Sequence, residues 1–536
     1  MQRGNKIKNF FLKNKYIILI LLVSLFLNLF EITSGLPYLW HPNEFVRFTL
    51  RMGKNFDFNP HWFINPSLPI YLTGIALIPY YLYLVTFNPG LINELISFDM
   101  TYDSLYQVPA EFVTITFTIA RLLVVVFAVL TVFLTYLIGK KYFGKKVGIL
   151  SSLFLALSPG FVNLAHYATV DIYVIFFSTL CLFSCLEIIK TKKWRYYILA
   201  GVSAGFAAAS KYTGGLVAIF IVLAHFFSIN KFKIKNFFDK KLIISGMIVI
   251  FSFLIAVPFC ILTFDEFSRD LIDDIITREQ WGWRPMVYRA WFTNMHYLAK
   301  LTGGPLLLLS IFAFFYLFYK NITDKNKFSL FLWLYVFSYY MIVGTWFYTT
   351  TRFIAPLTPF IFILSSIFIF EFLKKKRYTN FVKVFVILSI LVLFVNTLIQ
   401  LYGYTNDPRY KVGGWIEKNI DPEESIVLFT QQRVIWPQIP RNYNFKYDSR
   451  LHLNNLSDRE FDEFVSEIKE DGPDYIILVR ELSIIDISPW PKKTIFIRNL
   501  MGGNLNYEIV ARFDKHGPIL GKYKYLTKHV ILKRQE

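Results

Sequence analysis

The chain is 536 residues long, 55% hydrophobic, 19% aromatic and 18% charged, with a formal net charge of +20. That charged fraction excludes an ordinary soluble globular domain, in which about a quarter of residues are charged. The positive balance does not mark a nucleic-acid binder: 26 Lys/Arg fall in six short clusters (3–15, 140–146, 190–195, 231–241, 320–327 and 374–383) between apolar runs, which is a topology signal, and neither a basic recognition helix nor a zinc-finger spacing accompanies them.

Apolar runs near the length of a membrane span recur through the first 400 positions, so the chain reads as a multi-pass α-helical membrane protein. The first run, from Tyr16 to Phe30, follows the first basic cluster and lacks a small-residue cleavage site. It reads as an uncleaved anchor with its N-terminus inside. Spans are expected at about 16–34, 112–139, 147–158, 171–189, 196–210, 213–229, 241–263, 299–319, 328–347, 353–372 and 381–402, which makes eleven.

One run, 67–87, is left over. If it crossed, the later basic clusters would face outward while the first stayed inside; if it does not, all six are cytoplasmic. The positive-inside rule favours an interfacial helix in the first external loop.

Two domains follow: a membrane domain over 1–402, and a small extracytoplasmic α/β domain over 403–536. In the latter, short apolar runs such as "SIVLF" and "YIILV" alternate with "SDREFDEFVSEIKED", where Ser457 and Glu460 form a capping-box pattern. The cysteines Cys181, Cys185 and Cys260 all lie in apolar runs, so no disulfide framework is implied.

Ionisable groups near the outer ends of spans are costly and gather where a polar cavity needs them. Here these are Glu44, Arg121, Asp171, Lys211 and Arg352. Carboxylates such as Glu44 and Asp171 take up a proton or stabilise positive charge on a sugar carbon. Lys211, Arg284, Arg289 and Arg352 suit a phosphate, the arginines through their forked donors. Trp62, Trp281, Trp283 and Trp291 offer flat faces for sugar rings or isoprene. His41, His61, His166 and Tyr167 are further candidates for holding substrate; for the histidines a satisfied interfacial role is the competing reading. Asp57 reads as a turn residue before Asn59-Pro60 or as a further base, and Asp273-Asp274 as a solvated helix face or half of a metal site.

The opening loop carries His41-Pro42-Asn43-Glu44, Asn59-Pro60-His61 and Pro66-Ser67-Leu68-Pro69-Ile70-Tyr71. It resembles the first external loop of the C-type glycosyltransferases, in the protein O-mannosyltransferase-like branch that includes lipid A aminoarabinose transferase. "RLLVVVFAVLTVFLTYLIGKKYFGKK", "LSPGFVNLAHYATVD", "AGVSAGFAAASKYTGG" and "TTRFIAPLTPF" follow in the family's order, over most of residues 15–372.

The resemblance implies an integral membrane glycosyltransferase. It would move a sugar from a polyprenyl- or dolichyl-phosphate donor to a glycan, lipid or protein acceptor on the extracytoplasmic side, with inversion at the anomeric carbon. In that branch the acid before the loop glutamate is the usual base. Here Asn43 stands in its place, and an amide cannot take a proton. Either Glu44 or Asp171 serves as base, or the acceptor needs little help, or transfer has been lost and the protein is a scaffold. A lipid-linked sugar transporter is the other competing reading, although paired inverted repeats are not found. The resemblance leaves a divalent metal open as cofactor, since some relatives use one and others do not, and the sequence marks no other.

Overall fold

The computed structural model describes all residues except 1, 39–42, 102–104, 106, 230–232, 281–286, 347–348, 430–435, 441, 449, 451–456, 480–490, 514–528 and 536, and the side chains of 2–11, 275–280, 287–289, 378, 491 and 493. His41, Trp281, Trp283 and Arg284 fall outside the described residues, and the side chain of Arg289 does too.

The chain divides into two compact units. The first comprises Met1–Ile32, Asn43–Leu105 and Ile115–Leu398. Its helices are α1 (Gln2–Leu29), α2 (Val46–Asn55), α3 (Leu68–Phe87), α4 (Pro89–Ser97), α5 (Ala110–Phe143), α6 (Lys145–Ala156), α7 (Pro159–Ala165), α8 (Asp171–Thr191), α9 (Trp194–Ser210), α10 (Ile219–Ile229), α11 (Lys240–Ala256), α12 (Phe259–Leu262), α13 (Phe264–Gln280), α14 (Val287–Thr302), α15 (Gly304–Asp324), α16 (Lys327–Gly344), α17 (Thr351–Ile354), α18 (Thr358–Leu373) and α19 (Thr379–Thr405).

Nine helical stretches among the described residues are long and apolar enough to cross a membrane, α3 being one of them. The pair α6–α7, bent by 62°, adds a broken span. Helices α9 and α11 have 17 residues each, at the short end of what spans a bilayer. These two lie close together because Gly201 and Gly205 face α11. A Cβ on either would sit 2.8 Å from the Ser245 carbonyl oxygen or 2.6 Å from that of Val249, the small-residue contact by which membrane helices approach.

The basic clusters meet at one end of this bundle. Lys145 Nζ donates to the Lys13 carbonyl at 3.1 Å, and Lys241 Nζ to that of Lys192 at 2.9 Å. Lys141 pairs with Glu187 at 2.6 Å, one turn before Lys190. The ring of Tyr142 lies 4.9 Å from that of Phe328. Lys320 and Lys374 share Glu371 at 2.5 and 2.9 Å.

With Lys13 and Lys145 at the same end, the chain between them crosses an even number of times. Helices α1 and α5 supply two crossings, which leaves no room for α3 as a third. The short α4, nine residues, is about 13 Å long and cannot bring the chain back across. Instead α3 runs beside α2. Thr49 donates to the Ile70 carbonyl at 3.2 Å, a Cβ on Gly53 would lie 3.7 Å from Tyr81 Oη, and Lys54 Nζ reaches the Phe98 carbonyl at 2.5 Å. A crossing α3 would drag the basic face of α2 to membrane depth, at high cost. Among the described residues, the eight other candidate helices, the bent pair α6–α7 and the two 17-residue helices α9 and α11 then make eleven segments.

The second unit comprises Thr33–Pro42, Tyr106–Thr114 and Ile399–Glu536. It takes in two short stretches that the sequence assigned to the membrane domain. The first is tied by Gly35 N donating to Tyr410 Oη at 3.0 Å and Ser34 Oγ to the Tyr404 carbonyl at 3.3 Å. Its further elements are α20 (Pro408–Asn419), β1 (Ile426–Phe429), β2 (Phe445–Asp448), α21 (Asp458–Asp471), β3 (Tyr475–Val479), α22 (Pro491–Met501), β4 (Tyr507–Phe513) and β5 (His529–Arg534).

The sheet order is β2-β1-β3-β5-β4. Strand β1 pairs parallel with β2 and β3; β5 pairs antiparallel with β3 and β4. Strand β3 is buried on both faces. Tyr475, Ile477 and Val479 join Val412 and Ile416 of α20, while Ile476 and Leu478 join Phe461 and Phe464 of α21. This period-2 division makes a three-layer α/β domain. The capping box at Ser457 and Glu460 starts α21.

Candidate active site

Four of the charged residues singled out by the sequence converge at the end of the bundle opposite the basic clusters. Glu44 precedes α2, Asp171 opens α8, Lys211 ends α9, and Arg352 lies in the short α17. Each position has a local cause. Asp171 sits at a helix N-terminus, where the backbone dipole favours an anion. Lys211 leaves α9 in an extended conformation (φ −159°), and its carbonyl accepts from Gly214 N at 2.8 Å. That turn needs glycine: a Cβ on Gly214 would stand 2.3 Å from the Ala207 carbonyl oxygen. The segment "KYTGG" is therefore the device that turns the lysine out of the helix.

Arg352 is the hub. Its fork grips Glu44 with two bonds, Nη1 to Oε1 and Nη2 to Oε2, the latter at 2.8 Å, and its Nε donates to Asp171 Oδ2. Lys211 Nζ donates to the other oxygen of Asp171 at 3.1 Å and lies 4.1 Å from the centre of the Phe353 ring. Two acids and two cations thus neutralise each other, as groups withdrawn from water must. They differ in reach. The side chain of Asp171 is 1% exposed and that of Lys211 13%, against 20% for Glu44 and 30% for Arg352.

The neighbouring amide belongs to a separate arrangement. Asn43 is buried, and its Oδ1 accepts from Arg121 Nε at 3.3 Å and from Ala168 N at 3.4 Å. Arg121, also buried, donates through Nη1 to the Ile32 carbonyl at 2.6 Å. Glu44 N donates to the Ala168 carbonyl at 3.1 Å. The Asn43-Glu44 pair is thereby fixed to the turn that precedes Asp171. Arg121, read from the sequence as one of five groups on a single cavity, stands in this backbone-holding arrangement, beside the cluster and not in it.

The remaining candidates sort by their partners. His166 is buried between two backbone carbonyls, Val162 at 2.8 Å from Nδ1 and Phe30 at 2.9 Å from Nε2. It ties the end of α1 to the end of α7 and turns neither nitrogen to a cavity. Tyr167 is buried as well. His61 sits between two carboxylates, Nε2 2.7 Å from Asp57 and Nδ1 2.8 Å from Glu266 of α13. Asn59 Nδ2 donates to the same Glu266 at 3.2 Å, and Phe63 N to Asp270 at 2.9 Å. This clasp fastens the opening loop to α13. The bond from Asn59 N and the His61 ring hold the Asp57 carboxyl below its usual range; both flanking acids raise His61 against the opposing effect of burial. Trp62 stacks on Phe48 with 4.4 Å between ring centres. The sequence missed Glu266 because its partners lie more than 200 positions away, and no spacing rule connects them. Among the described residues no group of three or more His, Cys, Asp or Glu is arranged to hold a metal ion.

A many-pass helical bundle with a small α/β domain, and with a neutralised cluster of acids and cations at one end, defines a polytopic membrane protein with a built polar site. Comparison with known proteins narrows the class. Residues 112–261 match the family model described as dolichyl-phosphate-mannose-protein mannosyltransferase. Over 98 residues the chain is 37% identical to dolichyl-phosphooligosaccharide-protein glycotransferase 2 of Pyrococcus furiosus; the match covers 17% of this chain and only 13% of that protein. The fold is similar to that of ArnT from Cupriavidus metallidurans. In its complex with undecaprenyl phosphate the TM-score is 0.53 at 12% identity, over 97% of this chain and 98% of the other; in the apo state it is 0.54. The apo oligosaccharyltransferase of Archaeoglobus fulgidus gives 0.50 at 13% identity, over 87% of this chain and 69% of that one. The chain is a multi-pass membrane protein whose fold is similar to that of ArnT, and its residues 112–261 match the mannosyltransferase family model.

Proposed function

We propose that the protein is an integral membrane glycosyltransferase that moves a sugar from a polyprenyl- or dolichyl-phosphate donor to a glycan, lipid or protein acceptor on the extracytoplasmic side. One observation carries the reading: Glu44, Asp171, Lys211 and Arg352, scattered over 308 positions, meet in one ion cluster around a forked arginine. A phosphate is a stable leaving group, so its departure calls for positive charge more than for an acid. Arg352 and Lys211 supply that charge. The ArnT structure was solved with undecaprenyl phosphate, a ligand of the same class.

Arg352 and Glu44 are the more open members of the cluster, while Asp171 is sealed. The phosphate oxygens of an arriving donor compete with Glu44 for the arginine fork and release its carboxylate. The acceptor oxygen then attacks the anomeric carbon from the face opposite the phosphate, and the bond from that carbon to the phosphate oxygen breaks. Its electron pair stays on the phosphate, the acceptor proton passes to Glu44, and the configuration inverts. Asp171 keeps Lys211 and Arg352 in place throughout.

Sidedness follows from the basic end of the bundle. Under the positive-inside rule that end is cytoplasmic, so the cluster and the residues after 402 fall on the extracytoplasmic side. The competing reading, a scaffold without activity, draws on Asn43 alone. The test is to incubate purified protein with a panel of polyprenyl-phosphate sugars and follow release of the free lipid phosphate. Release is expected from wild type and reduced about 10²- to 10⁴-fold in Glu44→Gln, the range for loss of a general base. If Glu44→Gln leaves release intact, the base assignment is wrong. If no donor in the panel is turned over, the enzyme reading fails.

A further inference from the structure

On α14, on the segment leading into α17 and at its N-cap lie buried polar atoms that the ion cluster does not use. Helix α14 presents Trp291 and Asn294 three residues apart, hence on one face, and packs against α17, which carries Arg352. Asn294 is fully buried. Its Oδ1 accepts from the hydroxyl of Thr349, which fixes the amide and leaves Nδ2 with both hydrogens unmatched. The indole Nε1 of Trp291 is also buried without an acceptor, as is Oγ1 of Thr350. Thr350 holds the N-cap position of α17, yet its hydroxyl does not cap the helix. The indole is placed by its neighbours: Tyr340 Oη donates to the Trp291 carbonyl at 2.7 Å, and a Cβ on Gly344 would lie 2.7 Å from Nε1.

Buried polar atoms nearly always find partners, and a group of unmatched ones calls for a specific occupant. Here the amide nitrogen and the indole nitrogen are donors only, and the threonine hydroxyl acts either way. The occupant therefore supplies lone pairs. It does not need charge, because the three groups are neutral. The segment Thr349-Thr350-Thr351-Arg352 carries these donors directly into the phosphate clamp, so the occupant is continuous with whatever Arg352 binds.

We propose that Trp291, Asn294 and Thr350 form a subsite for the hydroxyl and ring oxygens of the sugar on the donor, adjoining the phosphate clamp at Arg352. This rests on the donor class argued above. It divides the labour between neutral donors that read the sugar and cations that hold the phosphate. It also assigns Trp291 a hydrogen bond in addition to the flat face expected of it.

Binding to detergent-solubilised full-length protein separates the two roles. The ligands are a polyprenyl-phosphate sugar that the wild type turns over and the bare polyprenyl phosphate. Trp291→Phe keeps the aromatic bulk and removes only the N–H, Thr350→Val keeps the shape, and Asn294→Ala removes the amide. Each is expected to weaken the sugar-bearing ligand about three- to tenfold, the size of one net hydrogen bond, and to leave the bare phosphate unchanged. Equal weakening of both ligands, or of neither, overturns the subsite. Should Asn294→Ala fail to fold, Trp291→Phe and Thr350→Val decide the matter. A wild type that binds neither ligand would instead overturn the donor class, and the subsite with it.

Discussion

Asn43 and Glu44 are neighbours in the chain, and each meets a buried or half-buried arginine. The outcomes differ. Glu44 offers Arg352 two charged oxygens and receives a bidentate grip, in a cluster whose charges cancel. Asn43 offers Arg121 a neutral carbonyl at 3.3 Å and spends the same oxygen on the Ala168 amide. The first arrangement gathers partly exposed charge; the second fixes backbone. The difference teaches that one residue of the Asn43-Glu44 pair enters the ion cluster of the proposed site while the other locks the loop in position. It also explains why an amide is tolerated where the resembling family carries an acid, since the backbone bond needs only a carbonyl oxygen.

The strongest way to break this comparison is Arg352→Gln. It strips two carboxylates of a shared cation, one of them sealed from water, and truncating one partner of a buried ion pair costs about 3–5 kcal/mol. Lipid-phosphate release is expected to fall about 10²- to 10³-fold, as when one preorganised charge-stabilising donor is lost. Thermal unfolding and release assays measure both effects. Release within a few-fold of wild type would mean that the cluster is structural only.

Asn43→Asp sharpens the comparison from the other side. It places a carboxylate where Arg121 already donates, and hydrogen bonds to charged groups are worth about 1.5–3 kcal/mol against about 1 for neutral ones. A gain of about 1 kcal/mol in stability is expected, with release within a few-fold of wild type. A drop in stability would show that Arg121 cannot accommodate a charge there.

The smallest effect is at His61, in the clasp that stands apart from the ion cluster. Its folded-state pKa is raised, so its contribution is present below the unfolded value near 6.5 and is lost as pH rises through the raised value. Asp57 is lowered, so its part is present above the ordinary carboxylate range and fades as pH falls through the depressed value. The clasp is therefore strongest in weak acid. With both side chains close to half exposed, it is worth about 0.5–1 kcal/mol. His61→Gln should flatten the pH dependence of thermal stability between weakly acidic and mildly basic buffer while leaving the basic limb unchanged. An unaltered pH profile would show that the clasp contributes nothing.

The residues of the cluster were legible because charge at membrane depth is rare, and Glu44, Asp171, Lys211 and Arg352 stand out from an apolar background. Which acid is reachable was not legible, since burial of Asp171 depends on how α8 is covered by its neighbours. For His166 the sequence left a substrate-holding and a satisfied interfacial role side by side; its ring lies between two carbonyls, a placement set by elements 136 positions apart. Neither the Asp57–His61–Glu266 clasp nor the Asn294–Thr349 bond has a sequence signature, because each joins loops to distant helices.

By itself the sequence determined that this chain crosses a bilayer repeatedly, and which ends of its helices carry the positive charge. Hydrophobic length and clustered lysines act locally, against the solvent, and need no fold to be read. It also marked the small C-terminal domain through alternation and capping. Only the tertiary structure decided which charges touch, that Arg121 holds backbone while Arg352 joins two acids, and that α3 lies along α2. Those outcomes depend on distances between segments far apart in the chain, and the Coulomb and hydrogen-bond energies that separate them change over a few ångströms.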